Sequence, residues 1–153
     1  KLRGAIDLIE RGPGGQLRVT DHKTGKVRGE KDLIIGGGKI LQPVLYSLVA
    51  EKLLNQPVGA GRLYYCTAAG GYQSRVVAID AAARDAIGQF SAILDDALVQ
   101  GFLPAAPASG ARRNQSECDY CDYLRLCGPY EMQRTARKPK ERLAALTALR
   151  QMR

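Results

Sequence analysis

Polar and apolar positions change period several times along the chain. Residues 2–9 (LRGAIDLI) are apolar with interspersed polar side chains and run into Gly12-Pro13-Gly14-Gly15, which predicts a strand ending in a tight turn. Residues 16–20 (QLRVT) alternate again and predict a second strand returning antiparallel, with Leu17 and Val19 on one face. Such a hairpin leaves Asp7 and Asp21 near the same end, since they lie at similar distances on either side of the turn. Residues 24–38 are rich in glycine and charge and read as a loop. Leu41, Val44, Leu45, Leu48 and Val49 recur at helical spacing, predicting a helix over 40–54 with Pro43 in its first turn, where the missing N–H costs little.

Residues 62–67 (RLYYCT) and 75–79 (RVVAI) predict a second hairpin around Gly70-Gly71. Asp80 is a good N-cap for a helix over 81–100. Its apolar stripe is Ile87, Phe90, Leu94, Ala97 and Leu98, and Gly101 suits its end. A Pro/Ala-rich linker (104–110), a cysteine cluster and a basic helix over 139–151 follow, with no internal repeat. The order β-β-α-β-β-α plus a cysteine-bearing C-terminal tail predicts an α/β fold, a mixed sheet flanked by helices. It divides into a core (1–103), a linker with the cysteines (104–130) and a basic C-terminal helix (131–153).

The 153 residues suit one domain, and 45% hydrophobic with 25% charged residues is a globular composition. No run approaches the roughly 18 continuous apolar residues of a membrane span, and no charged-then-apolar leader is visible, so a cytoplasmic protein without a membrane partner is expected. The chain starts on Lys1, which predicts that it is a piece of something longer. The net charge of +8 raises the expectation of a phosphate-rich partner. Much of the excess is late, where Arg134, Arg137, Lys138, Lys140, Arg142, Arg150 and Arg153 face only Glu131 and Glu141. Of the four cysteines, Cys118, Cys121 and Cys127 crowd together while Cys66 stands alone in a strand-like run. Clustered thiols read as iron–sulfur or metal ligands, zinc being the common alternative.

Two carboxylates and an amine carry the candidate chemistry. Asp7 lies mid-strand among apolar neighbours, where a carboxylate is costly to bury unless paired. In Asp21-His22-Lys23 the first and third side chains share a side of the strand. Two acids and a lysine at one strand end suit a hard cation such as Mg²⁺, which takes one or two carboxylates and keeps several waters. Lys23 would orient a water or stabilise charge on a phosphate. Gln42 and Tyr46, four apart, share a helix face beside this site. Gly36-Gly37-Gly38-Lys39 is like the tail of a phosphate loop, but Leu33 and Ile40 stand where that motif needs Gly and Ser or Thr, and a nucleotide site is rejected.

The runs Gly4-Ala5-Ile6-Asp7, Val19-Thr20-Asp21-His22-Lys23-Thr24-Gly25-Lys26 and Gln42-Pro43-Val44-Leu45-Tyr46 together resemble the PD-(D/E)XK nuclease domain of the RecB exonuclease type. That group includes the nuclease domains of the AddAB and RecBCD helicase–nucleases and the Cas4 proteins. The resemblance covers roughly residues 1–130. It implies a restriction-endonuclease-like core with its site at one edge of the sheet. Asp7 and Asp21 would ligate Mg²⁺ or Mn²⁺, with the backbone carbonyl of His22 as a further ligand. Lys23 would be the catalytic lysine, and Gln42 and Tyr46 would support the site and contact DNA. The implied activity is exonucleolytic hydrolysis of DNA, as single strands or duplex ends, in a helicase–nuclease or repair protein with a helicase domain or subunit as partner. Cys118, Cys121 and Cys127 resemble the last three ligands of a 4Fe–4S staple whose fourth cysteine precedes the core. Family members often carry a metal-binding histidine on a helix before the first motif, whereas this chain begins six residues before Asp7. Two alternatives stand beside this reading: a catalytically inactive DNA-binding module of a helicase partner subunit, and a Cas4-like nuclease of CRISPR adaptation.

Overall fold

The computed structural model describes residues 3–27, 33–107, 118 and 121–153. Leu2 of the first expected strand, residues 28–32 of the expected loop, residues 108–110 of the linker, and residues 111–117 and 119–120 on either side of Cys118 lie outside the described residues. Four strands form one sheet in the order β1 (Leu8–Arg11), β2 (Leu17–Lys23), β3 (Val58–Tyr65), β4 (Ser74–Ala78). β1 and β2 are antiparallel, β2 and β3 parallel, β3 and β4 antiparallel. A parallel pair needs a crossover, and α1 (Gln42–Leu54) supplies it. The chain continues into α2 (Ala81–Val99), the short helices α3 (Leu124–Cys127) and α4 (Glu131–Ala136), and α5 (Ala144–Gln151).

Leu17 and Val19 alternate inward from β2 and meet Val44 and Ala50 of α1, Val58 and Val77 of the sheet, Ile79 just past β4, and Ala83 and Ile87 of α2. Val44 and Ile35 are fully buried, each stabilising the fold by roughly 1.5–3 kcal/mol relative to exposure. α1 sits very close to the sheet: a Cβ on Gly61 would lie 2.1 Å from the Pro43 carbonyl oxygen, so no side chain fits there. Asp80 caps α2, its Oδ1 accepting from the Ala83 N–H at 3.0 Å as expected. The other sheet face is polar, with Glu10 accepting from Arg18, Thr20 and Arg62.

Several boundaries differ from the pattern-based expectation. β1 begins at Leu8 because the His22 N–H is taken by the Asp7 carboxylate, so the main-chain ladder ends at Leu8↔Thr20. β2 runs on to Lys23 because it continues to pair with Leu63–Tyr65 of β3. β3 starts at Val58, four residues before the expected 62, because Val58-Gly59-Ala60-Gly61 lacks the bulk that marks a strand while α1 needs that absence of bulk. The C-terminal helix begins at Ala144 after a tighter turn at Glu141–Leu143, whereas the charge pattern placed its start near 139.

The triple glycine forms a 3₁₀ turn, Gly36–Gly38, that receives the chain's C-terminal end. The Ile35 N–H donates to the Arg153 carbonyl at 2.9 Å and the Gly37 N–H to the Met152 carbonyl at 2.8 Å. A Cβ on Gly37, at φ +62, would lie 2.8 Å from the Arg150 carbonyl oxygen. The close approach of a second backbone thus accounts for the glycines that mimic a phosphate loop.

Candidate functional site

Extending the β1–β2 register by one residue puts Asp7 opposite Asp21, because Leu8 pairs with Thr20. Opposed residues of an antiparallel pair share a sheet face. Asp21 follows Leu17 and Val19 on the buried side of β2 and is itself 6% exposed, while Asp7 is exposed at the rim. Asp7 Oδ2 accepts from the His22 N–H at 2.8 Å and lies 3.7 Å from His22 Nδ1. The carboxylate is thereby anchored one residue from Asp21. Backbone alternation thus brings the two acids to one strand end, as expected from the hairpin.

Lys23 lies two positions along from Asp21 on the same side, and its Nζ is 2.7 Å from Asp21 Oδ2. That contact lacks the alignment of a hydrogen bond: Oδ2 is buried and accepts none. The Lys23 ammonium instead donates to Gln42 Oε1 at 2.6 Å. Gln42 reaches it because the Gly61–Pro43 approach seats the first turn of α1 directly over the sheet. One turn later Tyr46 packs on the segment leading to Asp7, where a Cβ on Gly4 would lie 2.9 Å from the Tyr46 hydroxyl. Gln42 and Tyr46 thus brace the two arms of the site, one at Lys23 and one at the approach to Asp7.

The His22 side chain is exposed, with its ring edge-on to Tyr64 at 5.9 Å and its Nδ1 beside Asp7. The resemblance implies a role only for its carbonyl, and nothing in residue spacing announces the ring's place. A cavity of about 410 Å³ opens beside Lys23 and Gln42, with Lys26 and Lys39 also on its wall. Neither of these lysines was singled out by the sequence reading, although Lys26 belongs to the motif run and Lys39 follows the glycines.

Whether a divalent cation suits these residues is decided by Asp21. Asp21 Oδ2 is buried and accepts no aligned hydrogen bond, its one close partner being the Lys23 ammonium at 2.7 Å, and a carboxylate oxygen so placed suits a hard cation. Among the described residues no three His, Cys, Asp or Glu are grouped to hold a metal ion. Two carboxylates, with water and backbone oxygens completing the shell, meet the demand of Mg²⁺.

Cys118, Cys121 and Cys127 line a second cavity, of about 380 Å³, between the 104–107 segment and α3 to α5. The Cys121 N–H donates to the Cys118 carbonyl at 3.1 Å. Cys66 lies elsewhere, against the end of β2, its thiol 3.6 Å from the Lys23 carbonyl oxygen and outside the cysteine cavity.

Among the described residues no helix is long and apolar enough to cross a membrane. A sequence model of the PD-(D/E)XK nuclease superfamily matches residues 1–128, which takes in the carboxylates, Lys23, Gln42, Tyr46 and the three clustered cysteines. No curated protein and no solved structure matches the chain.

Proposed function

Because the chain belongs to the PD-(D/E)XK nuclease superfamily, we propose that it is a Mg²⁺- or Mn²⁺-dependent deoxyribonuclease of the RecB exonuclease type, working beside a helicase domain or subunit in DNA repair. The observation that carries this reading is Lys23, whose ammonium stands between Asp21 Oδ2 at 2.7 Å and Gln42 Oε1 at 2.6 Å.

Asp21 and Asp7 would hold the divalent ion, with the His22 carbonyl as a further ligand. When bound, that ion supplies Lewis-acid polarisation of a phosphoryl oxygen and lowers the pKa of water. The chain's own residues do the rest. Gln42 fixes the direction of the Lys23 ammonium, which then faces the phosphate and stabilises the charge that grows on its oxygens during attack. Water adds to phosphorus, the bond to the leaving sugar oxygen breaks, and a proton passes to that oxygen. Tyr46 holds the Gly4–Asp7 segment so that the rim carboxylate stays in register with Asp21.

A cofactor for the cysteines is a second part of the proposal and rests on their spacing, since among the described residues they are not grouped to hold a metal ion. Cys118, Cys121 and Cys127 would furnish three thiolates to an iron–sulfur cluster that staples the C-terminal part of the chain to its core. Iron and sulfide assays on anaerobically purified protein test this, and zinc in place of both would overturn it.

Cleavage of linear single-stranded DNA, circular single-stranded DNA and RNA, each with Mg²⁺, Mn²⁺ or EDTA, tests the main proposal. Linear DNA is expected to be degraded with either metal and to survive in EDTA, while circular DNA resists for want of an end. Absence of metal-dependent cleavage, or preference for RNA, would contradict it.

A further inference from the structure

The cavity beside Lys23 and Gln42 has a wall that the chemistry proposed above does not use. Lys26 and Lys39 line it together with Lys23, Gln42 and His22. Lys23 has Asp21 as its counter-charge, but among the described residues neither Lys26 nor Lys39 takes part in an ion pair. Both side chains are exposed. Two exposed ammonium groups without a counter-charge on one cavity wall favour an anion between them.

Both lysines stand on backbone that is held in place. The Lys26 loop is pinned to the turn after β3, where the Thr67 hydroxyl donates to the Thr24 carbonyl at 2.8 Å. A Cβ on Gly70 would lie 2.9 Å from the Gly25 carbonyl oxygen, so this loop packs against bare backbone. Lys39 closes the triple-glycine turn, its N–H donating to the Gly36 carbonyl at 3.2 Å. That turn is in turn bonded to the C-terminal end through Ile35 and Gly37. Two cations on fixed backbone, sharing a cavity with Lys23, make a preorganised anion site adjoining the place where a phosphodiester would be cut.

We propose that Lys26 and Lys39 form a phosphate subsite for the nucleic-acid strand, holding an internal phosphodiester next to the scissile one. The proposal rests on the nuclease reading, since it takes the strand to run through the carboxylate site. It adds that strand affinity and register are set by this lysine pair.

The test is binding of a short single-stranded oligonucleotide, held uncut by Ca²⁺, over a series of salt concentrations. Each phosphate contact on a single strand contributes about 0.7 to the slope of log affinity against log salt. The Lys26→Ala, Lys39→Ala double variant is therefore expected to lose about 1.4 from that slope. Lys26→Arg with Lys39→Arg should keep the slope. With Mg²⁺, the alanine pair should lose about tenfold in kcat/KM, carried by KM, as expected when binding common to ground and transition states is removed. The slope change should be the same for strands ending in a hydroxyl and in a phosphate. A change confined to phosphorylated ends would overturn the assignment to an internal phosphodiester. A wild-type chain that cleaves, beside a double variant with an unchanged slope, would overturn the subsite and leave the nuclease reading standing. A wild-type chain that neither binds nor cleaves would overturn both.

Discussion

Lys23 and Gln42 meet end to end, Nζ donating to Oε1 at 2.6 Å across a separation of 19 residues. The contact joins the last residue of β2 to the first of α1. A free lysine side chain carries about 2 kcal/mol of rotamer entropy. Anchoring its tip beside Asp21 removes that freedom before any substrate arrives.

Gln42→Ala removes the acceptor and frees the ammonium. We expect kcat to fall roughly 10- to 100-fold, the range over which a misplaced catalytic group matters. Stability should change by about 1 kcal/mol or less, the usual net worth of one hydrogen bond. Gln42→Glu keeps an acceptor and should retain more activity than the alanine variant. Cleavage rates beside urea unfolding separate the two effects.

Gly61 and Gly4 should differ sharply in their tolerance of alanine. At Gly61 the added Cβ meets the Pro43 main chain at 2.1 Å, so α1 itself must move. A loss of about 3 kcal/mol or more is expected, at the upper end of overpacking. At Gly4 the nearest atom is the Tyr46 hydroxyl at 2.9 Å, the far end of a side chain that can tilt. There the loss should be about 1 kcal/mol, with a larger drop in cleavage than in stability. Equal losses at the two sites, measured by urea unfolding, would contradict the geometry.

The Arg84 hydrogen bonds hold the Glu51 carboxyl below its ordinary value of 4.5, with burial opposing and the Val58 N–H assisting. Between the folded pKa and 4.5 the unfolded state binds more protons, so stability rises with pH there. The contribution is complete above that ordinary value and is lost as pH falls through the folded pKa. Arg84→Gln should therefore lower stability near neutrality and flatten its fall on acidification below pH 4.5. Denaturant midpoints across that range read the change.

Gly37→Ala adds a side chain to backbone at φ +62 and drives it toward the Arg150 carbonyl. Undocking of the C-terminal end should follow, seen as faster hydrogen exchange at the Ile35 and Gly37 amides, which donate to Arg153 and Met152. Unchanged protection at Ile35 would show that α5 docks without this turn.

The order of elements was legible because Leu17 and Val19, the Leu41–Val49 repeat and the Asp80 cap each state a local preference. Asp21 and Lys23 were legible as a pair for the same reason, since strand alternation alone puts them on one side. What stayed hidden depends on distant backbone. The early start of β3 is invisible because Gly61 is chosen for what Pro43 needs, and the triple glycine is a seat for residues more than a hundred positions away. The His22 ring beside Asp7 and the shared cavity of Lys26 and Lys39 arise only when β2, α1 and the turn after β3 are assembled.

The most direct measurement is Mn²⁺-dependent cleavage of linear single-stranded DNA by Asp21→Asn and by Lys23→Ala, each beside its far-UV circular dichroism. The account predicts that both variants keep the wild-type spectrum and lose cleavage by at least about 10³-fold, in line with removal of a group acting on transition-state charge. Full cleavage by both folded variants would show that these side chains do not carry the chemistry.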